Sequence, residues 1–219
     1  LIPRGFASYV RLFHPARSPS GKPVRWAEVA AWNGRQVHPL MAFERVSNPR
    51  EGKRNNPPWS EDPAHGSMDK EVALALSKLL GSFTSVKDRC FFGVWEGYGQ
   101  FGRHSRALLT RSGAIKISPP EEVESAQRIH GVGRDYLVYT GALSSIDSFF
   151  QSPWTSPNMW WPADRSWFVS TDIDLDSTYV GGSKDCIDEL MSDASFETLP
   201  IDLDEPTYFT ADTVNAEAE

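Results

Sequence analysis

The sequence predicts a single α+β domain with a mainly antiparallel mixed sheet and about three to four helices packed on it. The chain has 219 residues, of which 40% are hydrophobic and 12% aromatic. A chain of that length buries roughly 70% of the surface that its unfolded form exposes, which suffices for one core without cross-links. Hairpin-like segments and helices follow one another without the regular strand–helix alternation of a doubly wound sheet.

The elements predicted in the first 66 residues are short. Residues 9–13 alternate as a half-buried strand does, and residues 26–32 have the pattern of a short helix with Gly34 as its C-terminal cap. Residues 41–46 predict a strand. The polar stretch over 47–66 predicts a long loop, and loops of that length are usually functional or disordered.

The clearest helical pattern covers residues 69–80. Ser67 is placed to cap its start and Gly81 to end it. Apolar side chains recur at helical spacing and predict one buried face, made of Val72, Leu76, Leu79 and Leu80.

The chain from residue 90 onward predicts six strands and two helices. Turn chemistry at Ser112-Gly113 predicts a hairpin there. From residue 202 the chain is acidic and poor in core residues, so we expect a domain over 1–201 and a loosely ordered acidic tail over 202–219. The predicted strands are 90–95, 107–110, 114–117, 136–139, 165–175 and 196–201, and the predicted helices are 145–150 and 183–191.

Composition predicts a cytoplasmic protein that does not enter a membrane. No run approaches the roughly 18 consecutive apolar residues of a membrane helix, and residues 1–6 lack the apolar stretch of a signal peptide. Cys90 and Cys186 lie far apart, in neither metal nor redox spacing. We therefore expect both cysteines to be reduced, buried and structural.

The charge of the chain is divided unevenly. Residues 1–110 contain 16 Lys and Arg against 9 Asp and Glu, whereas residues 111–219 contain 6 against 20. A basic half can bind nucleic acid, but the two halves can equally fold together and neutralise each other, which the lack of a long basic run favours. The nucleic-acid alternative would use Arg45, Arg50, Lys53 and Arg54.

Aromatic side chains bordered by charges form the first candidate site. Such a group can stack on a sugar or base, or form the centre of a protein interface, although clustered Trp also fill cores. The segment 95–98 has the same character as the patch around residue 160 and can meet it in space. The candidate ligand- or partner-binding residues are Trp95, Glu96, Tyr98, Trp160, Trp161, Asp164 and Arg165.

Three carboxylates form the second candidate site. If residues 165–175 are one long strand, its period of two places Asp172, Asp174 and Asp176 on one face. Mg²⁺ or Ca²⁺ would offset their repulsion and could polarise a phosphate, with Glu96 as a possible base. The alternative is a solvent-exposed strand face whose carboxylates pair with Arg side chains.

Two glycine-rich segments predict turns. Residues 97–102 match G-x-G-x-x-G, but no helix follows at once, and Glu96 would repel a phosphate. Residues 181–183 predict an ordinary turn and helix cap. The five histidines have no zinc-ligand spacing.

Several blocks of the chain resemble a family of bacterial cytosolic proteins without an assigned activity. The resemblance runs from about Gly5 to Pro200, implies one bacterial cytosolic domain, and supplies no catalytic residue. The chain is also similar to SUKH-type domains in size, acidic character and Trp-rich loops; that group of α+β modules includes toxin-binding immunity proteins. The blocks are 9–16, 24–30, 90–99, 161–169 (WPADRSWFV), 171–174 and 177–183 (STYVGGS).

The function that the sequence favours is a non-enzymatic binding module with a Trp-rich and acidic surface. No complete catalytic constellation or cofactor motif is recognisable, and the partner would be a protein or a small polar ligand. The alternatives are a metal-assisted hydrolase or transferase that uses the Asp cluster, and nucleic-acid binding through the basic half.

Overall fold

A computed structural model describes residues 2–49, 52, 56–98, 106–110, 113–117, 127–131, 133–150, 156–205 and 211–216, with the backbone alone for 106–117. Eight of the strands within these ranges form one sheet in the order β12-β1-β11-β10-β9-β4-β8-β7, and each described pairing is antiparallel. These strands are β1 (Ser8–Phe13), β4 (Cys90–Trp95), β7 (Arg128–Gly131), β8 (Arg134–Gly141), β9 (Met159–Pro162), β10 (Trp167–Ser170), β11 (Ser177–Gly182) and β12 (Thr198–Pro200).

The remaining described strands form two hairpins outside the large sheet. The hairpins pair β2 (Ala16–Arg17) with β3 (Pro23–Val24), and β5 (Arg106–Thr110) with β6 (Gly113–Ile117). The described helices are α1 (Trp26–Asn33), α2 (Phe43–Val46), α3 (Lys70–Leu80), α4 (Ile146–Phe149) and α5 (Lys184–Ser192).

Two hydrophobic clusters cover the two faces of the sheet. The first cluster joins α3, α4 and α5 to β1 through Val10 and Leu12. The second cluster joins α1 and α2 to β1 through Phe13. Because successive side chains of a strand point to opposite faces, Leu12 and Phe13 place these clusters on opposite sides of the sheet. The structure confirms the α+β fold class and the packing of helices on a mainly antiparallel sheet.

Most elements with a strong local pattern form where the sequence predicts them. Gly34 has φ of 68° and ends α1, as expected of a left-handed C-terminal cap. Gly182 and Ser183 lead into α5, where the Ser183 hydroxyl accepts a hydrogen bond from the amide of Cys186 at 3.2 Å. The predicted helix cap at Ser183 is therefore confirmed, whereas Gly181 and Gly182 end β11 instead of forming the predicted turn.

One predicted strand is wrong, and another is too long. The segment 41–46 forms α2, whose buried Phe43 and Val46 lie one helical turn apart. The predicted strand over 165–175 is only β10, because the chain turns after Ser170 and the amide of Leu175 donates to the carbonyl of Asp172. A short apolar run does not distinguish a strand from a helix by periodicity alone.

Some elements have no counterpart among the predicted ones. These are β7, β9 and β11, together with the hairpin formed by β2 and β3. The cap of α3 also differs, because Asp69 occupies the N-cap position. Ser67 instead accepts a hydrogen bond from the amide of Ser156 at 3.0 Å.

Part of the segment predicted as a loose tail packs against the domain. Asp212 is fully buried, and its carboxylate accepts hydrogen bonds from the amides of Ala42 and Asn215. It also pairs with the His38 ring at 2.8 Å. These hydrogen bonds hold the pKa of Asp212 below its ordinary value although burial acts in the opposite direction.

None of the described helices combines the length and apolarity needed to cross a membrane. Cys90 and Cys186 are both unpaired and buried, as predicted. Burial raises the pKa of the Cys90 thiol to about 11 and that of the Cys186 thiol to about 12, so both thiols are protonated near neutral pH.

Candidate functional site

The two adjacent tryptophans of the predicted aromatic site lie on opposite faces of β9. Trp160 is buried in the first hydrophobic cluster, where it meets Trp167 edge to face at 5.3 Å between ring centroids. Trp161 stacks between Phe91 and Phe168 on the other face, at 5.4 and 5.2 Å. The two faces of the Trp161 ring therefore lie against the rings of its two neighbours.

The three predicted site residues at the end of β4 contact other parts of the chain. Glu96 is buried and its carboxylate accepts two hydrogen bonds from the guanidinium of Arg128, at 3.0 and 3.1 Å. Trp95 meets Tyr98 edge to face, and the Tyr98 hydroxyl donates to the carbonyl of Gly66. Of the glycine-rich segment 97–102, only Gly97 and Tyr98 lie within the described residues.

Asp164 and Arg165 lie at the exposed turn between β9 and β10. The Asp164 carboxylate accepts hydrogen bonds from Thr84, Ser85 and Ser166, which lower its pKa against the opposing effect of partial desolvation. Arg165 has φ of 55°. Both residues therefore lie at the surface, and the Asp164 carboxylate is already engaged by hydrogen bonds within the fold.

The three aspartates of the predicted metal site do not share a strand face. Asp172 and Asp174 lie in the turn after β10, where both carboxylates pair with the guanidinium of Arg134 from β8. The carboxylate of Asp176 does not join them and lies 3.7 Å from the guanidinium of Arg11. The expected arrangement fails because the predicted strand is a turn, and Arg134 supplies the positive charge that a metal ion was expected to supply. Within the described ranges, no group of three or more His, Cys, Asp or Glu side chains is arranged to hold a metal ion.

The basic residues of the nucleic-acid alternative fall mainly outside the described part of the chain. Arg45 lies on α2 and is partly buried, and Arg50, Lys53 and Arg54 are not among the described residues. Other basic side chains of the first half pair with acids of the second half, as in Arg4–Asp204, Arg11–Asp176 and Lys70–Asp147. Ion pairs between the two halves therefore neutralise part of their opposite charges.

An open groove of about 680 Å³ lies at the β12 edge of the sheet. Its walls are the N-terminal segment 4–9, α5 and the chain that follows β12. We call it the acidic groove and define it by its apolar floor and its carboxylates: Phe6, Ile187, Met191, Leu203, Asp188 and Asp202.

Tyr9 gives the N-terminal wall of the acidic groove its shape. The Tyr9 hydroxyl accepts from the amide of Phe6 at 2.9 Å and donates to the carbonyl of Pro3 at 3.2 Å. The rings of Phe6 and Tyr9 meet edge to face and lie over Gly181, where an added Cβ would come within 2.8 Å of both rings. Gly181 therefore makes room for this wall on the face of β11.

Met191 is the exposed apolar side chain of the acidic groove. It is 41% exposed, whereas Ile187 on the same helix is buried. Sequence reasoning missed the groove, although one signal was present: residues 183–205 contain eight Asp and Glu and one Lys. An apolar residue beside several carboxylates at helical spacing predicts a surface rather than a core position.

Comparisons of the chain with protein-family models, with curated proteins and with solved structures find no match. The resemblance to bacterial cytosolic proteins and to SUKH-type domains stays a prediction.

Proposed function

We propose that this protein is a non-enzymatic binding module and that the acidic groove binds a basic protein segment with one apolar anchor side chain. The observation that carries the proposal is the exposed Met191 in a groove that Leu203 and the carboxylates of Asp188 and Asp202 also line. Contiguous apolar surface rimmed by polar groups is typical of interaction sites. Methionine suits such a surface because its unbranched side chain adapts to different partners.

The charge around the groove indicates the chemistry of the partner. Between residues 183 and 205 the formal charge is −7, from eight acids and one Lys, although Glu197 of this segment lies at the start of α1 and the Arg4 guanidinium also lines the groove. Two of these acids form ion pairs, Asp188 with Lys184 and Asp204 with Arg4. Asp185, Glu189 and Asp202 form no ion pair within the described part of the chain. A field of this sign attracts cationic segments and repels nucleic acid.

The strand at the groove edge favours binding through side chains over strand addition. β12 has three residues and ends at Pro200, which has no amide hydrogen to donate to an added strand. An added strand would also be shorter than the mean strand of globular proteins. We therefore expect a segment that docks an apolar side chain on Met191 and places Lys or Arg near the surrounding carboxylates.

The carboxylates that the sequence suggested for catalysis take part in ion pairs within the fold. The Glu96 carboxylate is engaged by Arg128, and Asp172 and Asp174 are engaged by Arg134. An ion pair with a guanidinium stabilises the charged form of a carboxylate and makes it a weaker base, which favours the binding role.

Fluorescence anisotropy with three labelled peptides tests the proposed binding. The probes are a Lys-rich peptide with one central Leu, the same peptide with Ser in place of Leu, and a Glu-rich peptide with the central Leu. We expect the Lys/Leu peptide to bind most tightly, and its affinity to fall as salt is raised. Equal binding of the Lys/Leu and Lys/Ser peptides would contradict an apolar anchor.

A pair of matched variants locates the binding surface. Met191→Lys places a positive charge in the acidic groove, and Val37→Lys places the same charge at a site that is 47% exposed elsewhere. We expect Met191→Lys to abolish binding of the Lys/Leu peptide and Val37→Lys to preserve it. Loss of binding in both variants, or in neither, would place the peptide outside the groove.

A further inference from the structure

A second cavity, of about 450 Å³, opens between α1, α3 and the loop over 194–197. None of its lining residues belongs to the acidic groove. We call it the inter-helix slot and define it by four apolar and two acidic residues: Phe13, Val72, Ala75, Phe196, Glu28 and Glu71. Its volume lies within the roughly 300–1,000 Å³ of small-molecule sites.

The slot lies at the end of β1, where residues of both hydrophobic clusters line it. Helix α1 packs in the second cluster, and α3 packs in the first. Phe13 of the second cluster and Phe196 of the first both line the slot. A cleft of this size that is lined mainly by apolar side chains with a few polar groups is typical of small-molecule sites.

Two carboxylates at the slot are used to hold the fold. Glu197 accepts hydrogen bonds from the amides of Trp26 and Ala27 at the start of α1, both at 2.7 Å. Burial raises the pKa of Glu197, against the effect of those hydrogen bonds. Glu28 accepts from the amide of Arg25 at 3.2 Å and completes the cap of the same helix.

Glu71 is the carboxylate that remains available to a ligand. It is exposed on the first turn of α3, next to Val72, and has neither a hydrogen bond nor an ion pair within the described residues. The Arg25 guanidinium at the slot donates to the carbonyl of Ala194. Three acids against one Arg leave the slot with a formal charge of −2, which disfavours an anionic ligand.

We propose that the inter-helix slot binds a small organic monocation. Its apolar body lies against Val72, Ala75 and Phe196, and its ammonium or guanidinium group pairs with Glu71. The apolar walls select a ligand with a hydrophobic body, and the free carboxylate at the mouth selects a positive head group. This site is independent of the acidic groove.

Backbone amide NMR of the full chain, titrated with three probes of similar shape, tests the proposal. The probes are phenethylamine, neutral 2-phenylethanol and anionic phenylacetate. We expect phenethylamine to produce saturable shifts at residues 72–75 and 194–197, phenylethanol to bind more weakly, and phenylacetate to leave those amides unchanged. Absence of saturable shifts with phenethylamine, or equal shifts with phenylacetate, overturns the proposal.

Three variants place the ligand in the slot. Ala75→Phe fills the slot and should abolish the shifts. Glu71→Gln keeps the shape of the side chain and should lower the affinity for phenethylamine by about two- to fivefold. Glu189→Gln removes an exposed carboxylate from α5, outside the slot, and should leave the affinity unchanged. If Ala75→Phe does not fold, Glu71→Gln decides: an unchanged preference for the amine over the alcohol contradicts the assigned role of Glu71.

Discussion

Arg11 is a buried cation on β1 whose charge is held by backbone carbonyls as much as by an acid. It is 6% exposed, and it donates to the carbonyls of Pro39 and Met41 and to the Ser177 hydroxyl, each at 2.9 Å. Asp176 lies 3.7 Å away, and burial raises its pKa although Arg11 acts in the opposite direction. Arg11 thereby ties β1 and β11 to the loop before α2.

Replacing Arg11 should therefore cost much more than replacing an exposed arginine. We expect Arg11→Met to lower the free energy of unfolding by about 3 kcal/mol, because it leaves a buried carboxylate and two carbonyls without their partner. Arg4→Met removes only the exposed pair with Asp204 and should leave the stability nearly unchanged. Urea unfolding of both variants measures the difference, and equal losses would contradict this account.

His14 is a second buried group that sequence reasoning left unused. Its Nδ1 donates to the carbonyl of Ala64 at 2.7 Å, and its Nε2 accepts from the Thr178 hydroxyl at 2.8 Å. Burial lowers the pKa of His14 to about 4, so the folded protein keeps the ring neutral. The unfolded chain takes up a proton there near pH 6.5.

His14 should therefore make stability fall as pH falls from about 6.5 toward 4, by about 3 kcal/mol in total. In that range the unfolded state binds a proton that the folded state does not. Denaturant unfolding at several pH values should show a shallower dependence for His14→Gln. Asp176 and Glu197 have raised pKa values and act in the opposite direction, but the wild type and His14→Gln both retain these two residues. Identical pH dependence in wild type and variant would contradict the role of His14.

At the scale of elements, the loop before α3 is pressed against the turn that follows β10. The amide of Gly66 donates to the carbonyl of Leu175 at 2.9 Å, and the carbonyl of Gly66 accepts from Tyr98. Asn158 joins the same junction through hydrogen bonds to Gly66 and Thr171. This junction packs against residues 171–176, which form a turn and do not continue β10.

Gly66 is required at this junction for two separable reasons. Its φ is 69°, and an added Cβ would lie 2.7 Å from the carbonyl oxygen of Ile173. Gly21 has a comparable φ of 76° with nothing within 4 Å. We expect Gly66→Ala to destabilise by about 3 kcal/mol and Gly21→Ala by about 1 kcal/mol, since only the first adds a backbone clash. Equal melting temperatures for the two variants would show that the loop around Gly66 shifts and relieves the clash with Ile173.

At the scale of the whole molecule, β1 belongs to both hydrophobic clusters. Leu12 faces α3 and α5, and the next residue, Phe13, faces α1 and α2. A strand shared in this way couples the two sides of the sheet. Neither cluster can then lose its packing without disturbing the strand that serves the other.

This coupling predicts one cooperative unfolding transition. Leu76→Ala in the first cluster and Met41→Ala in the second should each lower the free energy of unfolding by about 3 kcal/mol, because both side chains are fully buried. Tryptophan fluorescence and far-ultraviolet circular dichroism should give coincident curves in both variants. Two separated transitions in either variant would mean that the clusters unfold independently.

The sequence by itself determined the elements whose signals are local. The helix over 70–80 was predictable from apolar side chains at helical spacing, and α1 from its pattern and its cap at Gly34. β1 and β4 were predictable from their composition and alternation, and the fold class from the order of these elements. Such signals act within a few residues, so no knowledge of the rest of the chain is needed.

Only the tertiary structure decided which side chains share a surface. Trp160 and Trp161 are neighbours in sequence, but the pleat of β9 sends one into the core and the other into an aromatic row. Asp172 and Asp174 meet Arg134, and the acidic groove joins segments nearly 200 residues apart. Contacts of this separation depend on strand order and on which element covers which face, and no short pattern in the sequence encodes either.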